Sequence, residues 1–377
     1  MKILILGGTG ILSTDFTKWC IDQGNEVFLV NRGKKKEFID MRANLFIADI
    51  RNEDVVSLTN KIANTSYDVV VDFLSYNTDQ MKKTLEIIKG TYTQYVFISS
   101  ATAYIKELKN EIITENNSVG NKKWNYAYQK SLCEDYLKQQ DINYTIIRPY
   151  VTFGVSRIPF PIIPDNYYYT LIERIKEDKP IIILDDGKAI CTLTSTKDFA
   201  QILYKLLLNT NAYKEAFHIT SNNRQTWKEV YITIVELLNK TPNAFSVSIE
   251  DIHKYMPEFE FILKGDKGEN MVFDNSKVLT AIGGYDFKYS LRDSLKEAID
   301  YFESHQQMQG IDFKFDGRCD YLVRKKSNQR LACIELTNVF STCKIWYFIM
   351  TVPFLRGCYE NVRKVKHLVR KHREINI

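Results

Sequence analysis

Histidine is scarce in this chain, at five of 377 residues, and none of the seven cysteines stands in a Cys-x-x-Cys pair. These deficits argue against a zinc site and against a disulfide framework, and they fit a reducing cytoplasm. An excess of positive charge over the main body is also missing. The formal charge is +5, but residues 356–377 hold seven basic side chains against two acidic ones, which leaves the rest balanced at 44 of each. A balanced body does not present the basic surface that binds a polyanion. No internal repeat or low-complexity tract occurs. The apolar run at residues 345–355 is too short to span a bilayer, which takes about 20 residues. The first apolar run begins at Lys2 and reads as a strand, so a signal peptide is not expected.

What is present is a large apolar share, 45%, enough for a sizeable core. The length implies one large domain or two intimate ones. The organising stretch is Gly7-Gly8-Thr9-Gly10-Ile11-Leu12-Ser13. It follows the apolar residues 2–6, a short buried strand, and opens into residues 11–23, whose apolar positions recur at helical spacing before Gly24 stops the helix. Strand, glycine turn and helix together form a site for a dinucleotide. Gly7 lets the chain turn, and Gly10 lets a pyrophosphate approach the helix N-terminus, where unpaired N–H groups favour negative charge. The third position of the motif is Ser13 rather than glycine. Serine is small enough to keep the close helix–strand packing that position requires.

Further strands are expected at residues 26–30, 45–49, 68–72, 95–99 and 144–148, with helices between them, including 80–89. This alternation means a parallel, doubly wound α/β sheet whose ligands sit beyond the strand C-termini. The second strand ends at Asn31-Arg32-Gly33. An acidic residue there would favour NAD, whereas neutral Asn31 beside Arg32 and three lysines favours NADP. Asp49 and Ile50, at the end of the third strand, would border the adenine. Past Arg148-Pro149 the composition changes, with Pro159, Pro161 and Pro164 in quick succession. The expected division is a dinucleotide-binding domain at 1–153, to which 189–222 returns. A smaller C-terminal lobe follows at 154–188 and 223–325, folded over the carboxyl edge of the sheet, then an extension at 326–377.

Tyr126 and Lys130 are four residues apart on a helix expected to run to about residue 140, hence on one face. A nearby ammonium favours the phenolate, and a phenolate can take a proton from a sugar hydroxyl. The strand before this helix ends at Ser99-Ser100, where a hydroxyl could hold the substrate oxygen.

These residues make the chain resemble the extended short-chain dehydrogenase/reductase superfamily, of the NAD-dependent epimerase/dehydratase type. The matching pieces are Gly7-Gly8-Thr9-Gly10, Asp49-Ile50, residues 97–104, Tyr126-x-x-x-Lys130, Arg148-Pro149, Asp198-Phe199-Ala200 and, more loosely, residues 274–277. The resemblance covers about residues 1–325 and implies a Rossmann-type fold with a smaller substrate-binding lobe. It implies Ser100, Tyr126 and Lys130 as the catalytic set. It places NAD(P) along Gly7, Gly10, Ile11 and Leu12, against Asn31, Arg32, Asp49 and Ile50. Phe73, Leu74 and Pro149 would lie toward the nicotinamide. The implied substrate is a nucleoside-diphosphate sugar, and the implied activity is epimerisation or keto-reduction.

Two departures narrow this. Ala101-Thr102-Ala103 stand where dehydratases carry an acid and a base, which disfavours elimination of water. Cys191 aligns with an arginine that holds the diphosphate in many members, and Arg157, Arg174 or Lys264 could take its place. The tail, apolar at 345–355 and basic beyond, would pack as a helix on the body or on a second subunit. Its other reading is an interfacial helix on anionic lipid. The competing functional class is a non-catalytic member that binds RNA, as some with the same Asn-Arg-Gly do, or one that senses the dinucleotide.

Overall fold

A computed structural model describes residues 1–105 and 112–327, together with positions 349, 354, 355, 357–359 and 362. Most of the tail, for which a packed helix and an interfacial helix are the two expectations, lies outside the described residues. The chain divides into two compact units. The first comprises Met1–Pro159, Ala189–Val230 and Phe261–Tyr301; the second comprises Phe160–Lys188, Tyr231–Glu260 and Phe302–Ile377 as far as it is described.

The first unit is built on a seven-stranded sheet. Its strands are β1 (Lys2–Leu6), β2 (Glu26–Asn31), β3 (Asn44–Ile47), β4 (Tyr67–Asp72), β5 (Tyr92–Ile98), β6 (Tyr144–Ile147) and β7 (Glu215–Phe217). They lie in the order β7-β6-β5-β4-β1-β2-β3, and every pair is parallel. The chain order reverses between β1 and β4, which makes their carboxyl ends the topological switch point of a Rossmann-type sheet.

Alternation along the strands explains the layering. Ile3, Ile5, Val27, Leu29, Val69, Val71, Val96 and Ile98 face one side, against Phe16 and Cys20 of α1 (Ile11–Asp22). Leu4, Leu6, Val30, Val70, Tyr95 and Phe97 face the other. There they meet Leu58 and Ile62 of α2 (Val55–Ile62), Met81 of α3 (Thr78–Ile87) and Cys133 and Leu137 of α4 (Asn125–Lys138). Burial of each large aliphatic side chain contributes about 1.5–3 kcal/mol. The helices start where the sequence can satisfy free N–H groups: Asp54 accepts from Ser57 N and Asn77 from Gln80 N. Helix α2 is one of the helices expected between the strands, with Leu58 and Ile62 on its buried face.

The second unit holds the parallel strand pair Ile181–Leu184 and Ala244–Val247 and the helices Tyr169–Lys176, Ile249–Tyr255 and Phe313–Ser327. Arg174 is buried there against Asp316 and Asp320. Among the described residues no helix is long and apolar enough to cross a membrane.

Candidate active site

The glycine turn leaves β1 at the switch point. Gly7 has φ +88°, a conformation that side chains with a Cβ rarely adopt, so glycine is favoured at this turn. Ser13 does more than pack closely. Its hydroxyl is buried, donates to Gly7 O at 2.7 Å and accepts from Gly10 N at 2.8 Å. It stitches the turn shut, which the small-residue reading of this position missed. Ser13→Ala should therefore cost about 1–2 kcal/mol of stability, seen as a lower urea midpoint. An unchanged midpoint would show the stitch to be idle.

The residues around the turn fit a dinucleotide. Gly10 is exposed at the N-cap of α1, and the first turn of that helix carries no acidic side chain. Helix N-termini offer N–H groups without intrahelical partners. At the end of β2, Asn31 is buried, its Oδ1 accepts from Gly33 N, and its Nδ2 has no hydrogen-bond partner among the described residues. Asn31 ends β2, the strand whose carboxyl end meets the adenosine ribose in folds of this kind. Arg32 is exposed, and its charge helps hold the Asp49 carboxyl below the usual range, after the hydrogen bond from Asn52. Phe73 and Leu74 are half-buried beside the turn, whereas Ile50 and Pro149 are buried. Pro149 O accepts from Ala101 N at 2.9 Å, tying the segment after β6 to the serine turn after β5.

Asp72, which the sequence did not single out, organises the loop after β4. It is fully buried and accepts from Leu74 N, Ser75 N, Ser75 Oγ and Tyr95 OH. The loop so held presents Ser75 O to Lys130 Nζ at 2.8 Å, and Ile98 O accepts from the same ammonium at 2.8 Å. Lys130 is 2% exposed. Its ammonium also lies 4.8 Å from the centres of the Tyr76 and Phe97 rings.

Tyr126 begins the same helix, half-buried, with its ring 5.9 Å from Tyr76 and 4.9 Å from Trp124. The Ser100 side chain, whose hydroxyl is hydrogen-bonded to Thr102 Oγ1 at 2.9 Å, offsets part of the rise in the Tyr126 phenol. The structure seats Lys130 one turn further along the helix from Tyr126. It does not bear out the electrostatic role expected of Lys130. Burial pushes the Tyr126 phenol up to about 12, Tyr76 adds to the rise, and the cation that offsets part of it is Arg157. The Lys130 ammonium is instead hydrogen-bonded to two carbonyls, Ser75 O and Ile98 O.

Burial likewise draws Lys130 down to about 8 from 10.5. Between those values the unfolded chain binds more protons than the native one, so stability rises with pH. Lys130→Met should remove that rise. Unfolding free energies measured from pH 8 to 10.5 should converge as the wild type gains on the variant; parallel curves would refute the shift.

Below the serine turn lies a buried polar chain. Ser99 Oγ donates to Glu134 at 2.6 Å, and Glu134 pairs with Arg148 at 2.6 Å. Arg148 donates to Tyr104 OH at 2.8 Å, and that hydroxyl meets His218 Nδ1 at 3.2 Å. Burial holds His218 below its ordinary value. Cys191, at the expected diphosphate position, is buried with its thiol on Gln225 O and cannot hold an anion. Arg174 is likewise engaged.

The family model of the NAD dependent epimerase/dehydratase family matches residues 3–219, more than half of the chain. The chain belongs to that family. Epimerase/dehydratase folds recur among solved structures similar to it. An epimerase from Methanothermobacter thermautotrophicus superposes with a TM-score of 0.68 at 16% identity, over 82% of this chain and 94% of that one. UDP-glucuronic acid 4-epimerase from Bacillus cereus, solved with NAD, gives 0.63 at 19% identity, over 82% and 100%. The curated relative "chloroplast stem-loop binding protein of 41 kDa b" of Arabidopsis thaliana is 26% identical over 274 residues, 69% of this chain and 68% of its own.

Proposed function

We propose that this epimerase/dehydratase family member is a nucleotide-sugar epimerase or keto-reductase that works through a bound nicotinamide dinucleotide. The observation that carries the reading is geometric: the Tyr126 ring and the buried Lys130 ammonium flank the same Tyr76 ring, at 5.9 and 4.8 Å from its centre, on the helix that follows the Ser100 turn. The glycine turn, Asn31, Phe73 and Leu74 would hold the dinucleotide, which when bound supplies a hydride acceptor beside the sugar. Tyr126 would take the proton of the reacting hydroxyl and later return it. Ser100 would hold the same oxygen as its charge develops. Lys130, fixed by Ser75 O and Ile98 O, would orient the ribose. Ala101 and Ala103 are buried and offer neither acid nor base, which speaks against a dehydratase.

Neighbours solved with NAD support a nicotinamide dinucleotide. Asn31 and exposed Arg32 favour NADP within that class. Mass spectrometry of the cofactor released from purified protein tests both statements. Recovery of NADP is expected; NAD alone would overturn the preference, and no dinucleotide would overturn the reading.

Similarity to the stem-loop binding protein favours a second reading, an RNA-binding member without turnover. It would show as RNA affinity falling steeply with salt. Tyr126 and Lys130 flanking one ring support the enzymatic reading over it.

A further inference from the structure

Tyr76 is a large aromatic side chain left 40% exposed beside the candidate site. Its backbone is pinned from both sides. Asp72, fully buried, accepts from Leu74 N and Ser75 N just before it, at 2.7 and 3.0 Å, and Tyr76 N donates to Gln80 Oε1 at 2.9 Å. Asn77, the next residue, caps α3. A ring placed this firmly and still half in water gives up conformational entropy without gaining full burial, so packing alone does not explain it.

The neighbours of the ring supply the rest. Lys130 Nζ stands over it, 4.8 Å from its centre, and over Phe97 at the same distance. Ser75 O and Ile98 O take two of the three N–H groups of this ammonium, at 2.8 Å each. Among the described residues no carboxylate lies within ion-pairing distance of it, and nothing accepts from its third N–H. A cation that is 2% exposed thus relies on two carbonyl dipoles and two aromatic faces. Cation–π attraction is strongest for a desolvated cation of this kind. The Tyr126 ring lies 5.9 Å from that of Tyr76. Arg51, from the loop after β3, places its guanidinium 4.9 Å from the same centre and donates to Leu74 O at 3.3 Å.

We propose that Tyr76 is a positioning residue, whose ring holds the Lys130 ammonium ready for the nicotinamide half of the dinucleotide and braces Tyr126 beside it. This rests on the dinucleotide reading above. The third N–H of Lys130 is the donor left for a ribose hydroxyl, and the ring fixes the direction in which it points. The ring face does this work, not the phenolic oxygen, because the attraction comes from the π-system. Phe97 supplies the other face but is wholly buried in the sheet, where its removal would leave a cavity. Tyr76 is therefore the ring whose loss reads out the contact.

The test is calorimetric titration of the full chain with NADP and NAD, and with their adenosine halves 2′,5′-ADP and ADP, for the wild type, Tyr76→Leu and Tyr76→Phe. Tyr76→Leu should weaken both dinucleotides by about 5- to 30-fold, the worth of one desolvated cation–π contact, and leave the adenosine halves unchanged. Tyr76→Phe, which keeps the ring, should restore the affinity. Equal weakening of dinucleotides and halves in Tyr76→Leu would put the role of the ring on the adenosine side, through Arg51, and overturn the inference. Unweakened dinucleotides, or a Tyr76→Phe as weak as Tyr76→Leu, would overturn it too, while leaving the dinucleotide reading intact. A wild type that binds neither dinucleotide would bring down both. Loss of the ring also makes the ammonium easier to neutralise. The alkaline rise in unfolding free energy should therefore begin at lower pH in Tyr76→Leu than in the wild type or Tyr76→Phe, and an unmoved onset would equally overturn the inference. Thermal midpoints report any folding defect separately.

Discussion

Tyr126→Phe should lower turnover of the nucleotide sugar by about 10²–10⁴-fold, the usual worth of a positioned acid–base group. The substitution removes one oxygen from a half-buried ring that stays packed against Trp124 and Tyr76. Binding of dinucleotide and of UDP-sugar should survive, so the loss belongs in kcat rather than KM. The pH profile carries a second signature. Without ligand, burial holds the phenol near 12, so the neutral form dominates at physiological pH. A base must be deprotonated to accept the hydroxyl proton. The oxidative half-reaction should accordingly speed up as pH rises, and Tyr126→Phe should flatten that limb. A variant with full turnover and an unchanged alkaline limb would remove Tyr126 from the chemistry. Serine at position 100 bears on the same proton, since its side chain lowers the phenol's pKa against the effect of burial.

The parts of this site that were legible in the sequence are those written locally. A buried strand, a glycine turn and an amphipathic helix occupy residues 2–22 without interruption, and their periodicities of two and 3.6 report the β1–α1 unit directly. The pair Tyr126 and Lys130 is likewise a one-turn spacing. What escaped notice depends on contacts between distant positions. Asp72 meets Tyr95 across a neighbouring strand, and Ser99 meets Glu134 from 35 residues away. Nothing near either residue in the chain announces the partner. The strands Val151–Phe153 and Arg224–Thr226 are three residues long, too short to show alternation. The expected charge effect of Lys130 on Tyr126 failed for a related reason. Helical spacing gives the face a side chain starts from, but the acceptors Ser75 O and Ile98 O decide where its ammonium ends.

Glu134→Leu should destabilise the first unit by about 3–5 kcal/mol, the largest stability loss expected of any single change at this site. Glu134 is wholly buried and holds Arg148 through three contacts of 2.6–3.2 Å while accepting from Ser99 Oγ. Removing it leaves a guanidinium that is 3% exposed with, among the described residues, only the Tyr104 hydroxyl as a hydrogen-bond partner. Water cannot compensate at that depth, and Arg148 cannot neutralise itself by losing a proton. Arg148→Met in the same protein should recover much of the loss, because two apolar groups then replace two charges. The double variant separates the pair's burden from its purpose. If Glu134 and Arg148 serve to place Ser100 through Ser99, the rescued protein will fold well and still turn over slowly. Urea midpoints and kcat measured on the wild type and the two variants decide this: rescue of stability without rescue of kcat assigns the pair a positioning role, while rescue of both makes it structural filling. A single Glu134→Leu variant as stable as the wild type would contradict the buried ion pair itself.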